Sequence, residues 1–154
     1  MIIFFMAFIA LIICFSNHKL GDRLFYFLNY GITIPDPVGK NEIYSSVGQD
    51  HFSFEIWEYN NSQLERLLKK KYIRKITSKN IDEIKNLYNE TQVWFKNTNL
   101  DSYFNVEDII KDDNYYAFIV KDRSSRNTNF SYTKYLLLYL DTKTSKLYIF
   151  SVLY

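Results

Sequence analysis

The chain has 154 residues, of which 47% are hydrophobic and 19% aromatic, and its formal net charge at pH 7 is +2. This length suits one domain with a short extra segment, and the apolar content excludes a disordered chain. The small net charge excludes the strongly basic domains that bind nucleic acid. A single cysteine excludes an intramolecular disulfide and a cysteine-based zinc site.

The first segment is an unbroken apolar run from Ile2 to Phe15, which Ser16 and Asn17 end. As a helix, this run would span about 21 Å, which is less than the hydrocarbon core of about 30 Å. The length therefore favours the apolar region of an export signal over a spanning helix. Cys14 and Ser16 are small residues at the −3 and −1 positions of a cleavage site after Ser16.

Two other fates of this segment stay open. The stretch Leu11 to Cys14 resembles the lipobox of bacterial lipoproteins, although Ile13 stands where that family has Gly, Ala or Ser. The third fate is a retained anchor: no basic residue precedes the run, whereas Lys19 and Arg23 follow it, and positive charge there favours retention on the cytoplasmic side. Residues 1–16 are thus predicted to be a signal peptide or membrane anchor, and Cys14 is the lipidation candidate. Residues 17–154 are predicted to form a single domain. This domain contacts the membrane only through its N-terminus.

The next elements form a helix, a constrained loop and a hairpin. Asp22 to Tyr30 reads as a short helix, and Gly31 to Gly39 reads as a loop because its two prolines fix the backbone. The alternation around Phe52 to Ile56 predicts a strand with one dry face. Glu42 to Val47 is its predicted partner, with a turn through Gly48 to Asp50.

Two or three helices are predicted in the middle of the chain. One begins at Asn61, and another begins at Asn80, where Glu83 three residues later resembles a capping box. Thr91 to Phe95 either extends this helix or forms a short strand. Val106 to Lys111 is a short helix with Asn105 as its N-cap.

Three strands end the chain: Tyr115 to Lys121, Lys134 to Leu140 and Leu147 to Leu153. Tyr135 to Leu140 is apolar on both faces, which predicts a central strand that is covered on both sides. The sequence therefore predicts an α+β domain, with an antiparallel sheet of about five strands that ends in a three-strand meander, and two or three helices inserted in the middle.

The densest charge in the chain is a basic run between the first two of these helices. Seven of the fourteen residues from Arg66 to Lys79 are basic. The run predicts either a binding surface for an acidic partner or a solvated helix end followed by an edge strand protected by lysines. The candidate partner-binding residues are Arg66, Lys69, Lys70, Lys71, Arg74 and Lys75.

Catalytic and metal-binding motifs are scarce. No glycine follows Gly48, so no P-loop or dinucleotide-binding loop can be written, and no paired-histidine zinc helix is present. His51 with Asp50, Glu55 or a distant carboxylate is the only general-base candidate, and a histidine beside a turn aspartate explains it more simply.

A second polar group consists of acidic side chains close together in the sequence. Calcium binding by this group lacks the EF-hand spacing and glycine, so a charged helix end explains it better. No cofactor is predicted. The acidic residues are Glu107, Asp108, Asp112 and Asp113.

These features together predict an exported, non-enzymatic binding protein of the bacterial periplasm or envelope. An immunity-type inhibitor, which binds and blocks one protein partner, is the narrower form of this hypothesis. The alternatives are a small hydrolase-like enzyme that uses His51 and a membrane-anchored structural protein that retains residues 1–16. The sequence leaves the partner and the oligomeric state open.

Overall fold

The computed structural model describes residues 18–46, 50–95, 98–123 and 132–154. Within these ranges the chain is an α+β protein with a six-stranded antiparallel sheet and four α-helices, so the predicted fold class is confirmed. The apolar run with Cys14, and the tip of the first hairpin, lie outside the described residues. None of the described helices is long and apolar enough to cross a membrane.

The chain divides into two compact units, and the smaller one extends to Asp36. Its described part is helix α1, His18–Tyr30, and the loop that follows. The helix ends at Gly31, whose φ of 71° lies in the left-handed region that glycine adopts without strain, and whose N–H donates to the carbonyl of Phe27. Arg23 holds the loop against the helix through two hydrogen bonds to Asp36, at 2.7 and 2.6 Å.

The larger unit, Pro37–Tyr154, contains the whole sheet. The strands lie in the order β1-β2-β6-β5-β4-β3, and every neighbouring pair is antiparallel. Their bounds are β1 Gly39–Ser45, β2 His51–Glu58, β3 Arg74–Lys75, β4 Tyr115–Arg123, β5 Tyr132–Asp141 and β6 Lys146–Leu153. β3 is the last strand in this spatial order, so it lies at one edge of the sheet, and it has only two residues.

The C-terminal meander forms as predicted. β4 pairs with β5, and β5 pairs with β6 through the turn between Asp141 and Lys146. β5 lies inside the sheet, and every residue from Tyr135 to Asp141 is buried. Burial of both faces of this strand follows from its continuous apolar sequence, as expected.

One face of the sheet carries a core built largely from aromatic rings. Phe54 and Phe150 stack at 4.5 Å between ring centroids, and Phe104 contacts Phe150 edge-on at 5.5 Å. Tyr88 stacks on Phe104 at 4.8 Å. These rings come from two strands, a helix and a loop, so their contacts tie the middle of the chain to the sheet.

The helices of the larger unit are α2 Asn61–Leu68, α3 Ile81–Gln92 and α4 Val106–Ile109. A short 3₁₀ turn, Val93–Phe95, continues α3, so the segment after Thr91 extends the helix rather than forming a strand. A second 3₁₀ turn covers Leu100–Ser102. Asn105 caps α4 as predicted, because its side chain accepts from the N–H of Glu107.

The predicted capping box at Asn80 is wrong. Asn80 makes no side-chain cap hydrogen bond, because its Oδ1 accepts from the N–H of Thr77 and its amide donates to the carbonyl of Lys75. The capping box in this structure is at Asn60 and Gln63, at the start of α2. Each side chain accepts from the backbone N–H of the other residue at 3.0 Å.

Candidate functional site

The predicted basic residues lie where α2 ends and the chain turns into β3. Leu67 and Ile76 are fully buried on either side of this segment and fix its two ends. Between them, Lys69 caps the helix through its backbone, and the N–H of Ile73 donates to the carbonyl of Lys70 at 3.0 Å. The apolar side chains thus fasten the turn, and the basic side chains between them extend from it.

Tyr72 lies in the same turn and is partly buried. Burial raises the pKa of its phenol well above the ordinary range, because desolvation penalises the charged form. The neighbouring Lys71 is exposed. Tyr72 is half-buried beside the exposed basic residues of this turn.

The structure divides the six candidate residues into two groups. Lys75 pairs with Asp113 at 2.6 Å, and this ion pair raises the pKa of Lys75 and lowers the pKa of Asp113. Lys70 is half-buried. The other four residues are exposed, and none has a carboxylate within salt-bridge distance in the part of the chain that the structure describes. We call these four the basic surface: Arg66, Lys69, Lys71 and Arg74.

The edge position of β3 agrees with the simpler interpretation of the same charges. Arg74 and Lys75 form the whole of this strand, and both are exposed. Lysine and arginine at a sheet edge prevent pairing with another chain. This role accounts for the charge of Arg74 and Lys75. The other part of the simpler interpretation, a solvated helix end, covers Arg66 in the last turn of α2 and Lys69 at its C-cap.

The general-base candidate does not assemble with Glu55. His51 is the first residue of β2 and pairs with Leu153 of β6. Glu55 lies four residues further along the same strand, which is a separation of about 13 Å. Its carboxylate instead accepts from the indole N–H of Trp57 at 2.7 Å and pairs with Lys40 at 3.1 Å. Asp50 lies directly before the strand, and its backbone carbonyl accepts a hydrogen bond from the Ser46 hydroxyl at 3.0 Å.

The acidic residues near α4 are divided among separate partners. Glu107 accepts two hydrogen bonds from Lys85, at 2.8 and 3.0 Å, while Asp113 pairs with Lys75. Across the described ranges, no group of three or more histidine, cysteine, aspartate or glutamate side chains is arranged to hold a metal ion. The charged helix end is therefore the interpretation that fits these side chains.

A cleft that the sequence did not predict lies on either side of Tyr103. Leu100 and Phe104 are buried and fasten this loop to the core, whereas Tyr103 between them is 46% exposed. We call it the Tyr103 cleft. One half, of about 410 Å³, is lined by β1, β2 and β6, and includes Glu58 and Lys146.

The second half of the Tyr103 cleft, of about 430 Å³, lies between α4 and the turn after β5. Some charged groups that line the cleft have partners, whereas Asp108, Lys111 and Lys143 of the second half are exposed and have no carboxylate or ammonium partner among the described residues. Lys146 pairs with Glu58 at 3.6 Å, and Asp141 accepts from the N–H of Lys143 and the hydroxyl of Thr144.

The signal for this cleft was present in the sequence but not decisive. Tyr103 and Phe104 are adjacent aromatics, and only packing determines which of the two is buried. Phe104 contacts Tyr139, Tyr148 and Phe150, and its burial leaves Tyr103 outside.

Comparisons with known proteins found no match for this chain. No protein-family model, no curated protein and no solved structure matches it.

Proposed function

We propose that the protein is an exported, non-enzymatic binding domain that recognises an acidic surface of a protein partner through the basic surface. The observation that carries this proposal is the set of four exposed cations without carboxylate partners among the described residues. Lys111, Lys121 and Lys143 are also exposed without a carboxylate partner among the described residues, but they lie far apart in the sequence. The four cations of the basic surface differ in that they fall within nine consecutive residues.

The charge of the whole chain supports a protein as the partner rather than a nucleic acid. A protein that follows a phosphate backbone needs a broad basic excess, and this chain has a formal net charge of only +2. A compact patch of four cations suits a local acidic patch, where charge complementarity increases the association rate and fixes the orientation of the two proteins.

The N-terminal sequence supports export. The apolar run from Ile2 to Phe15 and the small residues Cys14 and Ser16 fit a cleavable signal, and a lipid on Cys14 would also deliver the domain to the envelope. An immunity-type protein, which binds and blocks a single toxin, is the narrower form of the proposal. The small size of the chain agrees with this form.

The first experiment is affinity purification of the tagged full chain from the bacterium that expresses it. The matched variants are K69Q/K71Q/R74Q, which removes three charges of the basic surface, and K111Q/K121Q/K143Q, which removes three exposed lysines elsewhere. We expect a partner that binds at about 0.1 M salt and dissociates at about 1 M, because the Debye length falls from about 10 Å to about 3 Å.

The basic-surface variant should lose at least about tenfold in affinity for that partner, whereas the control variant should bind like the unmodified protein. Equal binding by both variants would overturn the assignment of the basic surface. Fractionation of the same cells, with the intact mass of the product, tests export: a cytoplasmic, unprocessed chain would overturn that part of the proposal.

A further inference from the structure

Helix α1 has two apolar faces, and only one of them is buried. Tyr26 and Tyr30 are 1% and 2% exposed, and Phe25 contacts their rings at 5.2 and 6.2 Å. Four other large apolar side chains of the same helix are exposed by 41% to 68%; we call them the apolar stripe, and they are Leu20, Leu24, Phe27 and Leu28.

The spacing of the apolar stripe places its residues on one side of the helix. At about 100° per residue, positions 20, 24, 27 and 28 fall within an arc of about 100°, while Tyr26 and Tyr30 lie on a different side. Among the described residues, eight large hydrophobic side chains are exposed, and half of them belong to this 13-residue helix. Scattered exposed apolar residues need no explanation, but a continuous stripe on one short helix does.

The sequence directly before α1 indicates what covers the stripe. The apolar run ends at Phe15, and only Ser16 and Asn17 separate it from the first residue of the helix. Fourteen consecutive apolar residues partition into lipid. Retention of the run, or a lipid on Cys14, would therefore hold the start of α1 at the surface of a bilayer.

The helix itself suits a position along that surface. Its 13 residues span about 20 Å, and they include Asp22 and Arg23, so the helix is too short and too polar to cross a core of about 30 Å. The guanidinium of Arg23 is already paired with Asp36, which lowers the cost of bringing this charge to the interface. An amphipathic helix with leucine and phenylalanine on one side binds in the plane of the interface.

We propose that the apolar stripe is a membrane-contacting surface and that α1 lies along the lipid bilayer, beside the lipid on Cys14 or, where residues 1–16 are retained, beside the apolar run. This inference is independent of the basic surface and of its partner. It assigns a second contact with the membrane, whereas the sequence predicted contact through the N-terminal run alone.

The test places a tryptophan in the stripe of the full chain and measures its contact with lipid. Phe27→Trp and Leu28→Trp report on the stripe, and Val38→Trp is the matched control, because Val38 is 60% exposed and lies in the larger unit. The product that the cells make is mixed with, or reconstituted into, phosphatidylcholine vesicles with and without brominated acyl chains. The unmodified protein gives the background of Trp57 and Trp94.

Brominated lipid should quench both stripe tryptophans at least about twofold more than the control tryptophan, with a shift of their emission to shorter wavelength. Equal quenching at positions 27, 28 and 38 would overturn the inference. A concentration-dependent shift at position 27 in the absence of vesicles would also overturn it, because a second copy of the chain would then cover the stripe. Unchanged circular dichroism confirms that the variants are folded.

Discussion

The carboxylate of Glu55 accepts a hydrogen bond of 2.7 Å from the indole N–H of Trp57, two residues further along the same strand. Both side chains are buried, and the ammonium of Lys40 on the neighbouring strand lies 3.1 Å from the same carboxylate and 5.6 Å from the centroid of the Trp57 ring. A buried carboxylate without such partners would cost several kcal/mol. The three residues therefore fix the register of β1 on β2.

Replacement of Glu55 should destabilise the larger unit. Glu55→Ala should lower the free energy of unfolding by about 2 kcal/mol, because it removes two charge-assisted interactions and leaves the buried indole N–H without this acceptor. Glu55→Gln should cost less, because the amide oxygen still accepts from Trp57. Urea unfolding measures both effects. Glu42→Gln on the exposed edge strand is the control, and an equal loss for Glu42→Gln would contradict this account.

Alkaline pH should destabilise the protein partly through Tyr135. Burial raises the pKa of this phenol to about 12 from an ordinary value of 10.0. The unfolded chain releases the proton first as the pH rises above about 10, so stability falls between about pH 10 and about pH 12. Tyr135→Phe removes this titration, and its loss of stability between about pH 8 and about pH 11 should be about 1 kcal/mol smaller.

Tyr135→Phe should also lower the free energy of unfolding near neutral pH, and this loss is a second check on the same residue. The Tyr135 hydroxyl donates to the Thr91 hydroxyl at 3.1 Å, so Tyr135→Phe should lose about 1 kcal/mol near pH 8. Tyr103→Phe, at an exposed position, should change neither quantity. A pH dependence identical to that of the unmodified protein would show that Tyr135 titrates as it does in the unfolded chain.

The capping box at the start of α2 gives a third prediction. Asn60→Ala removes the acceptor for the N–H of Gln63 and should cost about 1 kcal/mol. Asn89→Ala, on the exposed side of α3, replaces asparagine with a better helix former and should not destabilise the protein. Thermal unfolding of both variants gives the comparison, and a stable Asn60→Ala variant would mean that α2 does not need its cap.

Replacement of Ser53 should increase the stability of the protein. Its hydroxyl is buried and has no hydrogen-bond partner among the described residues. Ser53→Ala removes this unsatisfied group and should raise the free energy of unfolding by up to about 1 kcal/mol. Ser45→Ala, at the exposed position opposite Ser53 in β1, should have no effect. A destabilised Ser53→Ala variant would show that the hydroxyl has a partner.

The strands of the meander could be predicted because their sequences are continuous, apolar and local. The pairing of β2 with β6 could not, since nothing in the residues around Phe54 specifies that Phe150, far along the chain, lies opposite. β3 is too short for any periodic signal, and it exists because Arg74 and Lys75 align with Tyr116 and Tyr115 of β4.

The two asparagine positions show why local motifs mislead. Asn60 and Asn80 both precede helices and both have a polar residue three positions later. Asn60 has the extended backbone that a cap requires, with ψ of 170°, whereas ψ of Asn80 is 0° and its side chain is used by the preceding turn. The backbone conformation of the residue before the helix determines which asparagine acts as a cap, and this conformation cannot be read from the sequence.

The basic surface could be predicted as a segment but not residue by residue. Lys75 pairs with Asp113, which lies in a different turn with φ of 74°, and this long-range contact gives a candidate binding residue a carboxylate partner within the chain. The apolar residues of α1 were also visible in the sequence. Which of them remain exposed depends on packing, because Tyr26 and Tyr30 rather than Leu24 and Phe27 are buried.

Site-specific photo-cross-linking in living cells tests the central claim most directly. A photoreactive amino acid replaces Lys71 in the basic surface, or Lys143 as an exposed control. We expect one discrete protein adduct from position 71, absent from position 143, that disappears when Lys69 and Arg74 are also changed to glutamine. No adduct at position 71, or the same adducts at both positions, would contradict the proposal that the basic surface binds a protein partner.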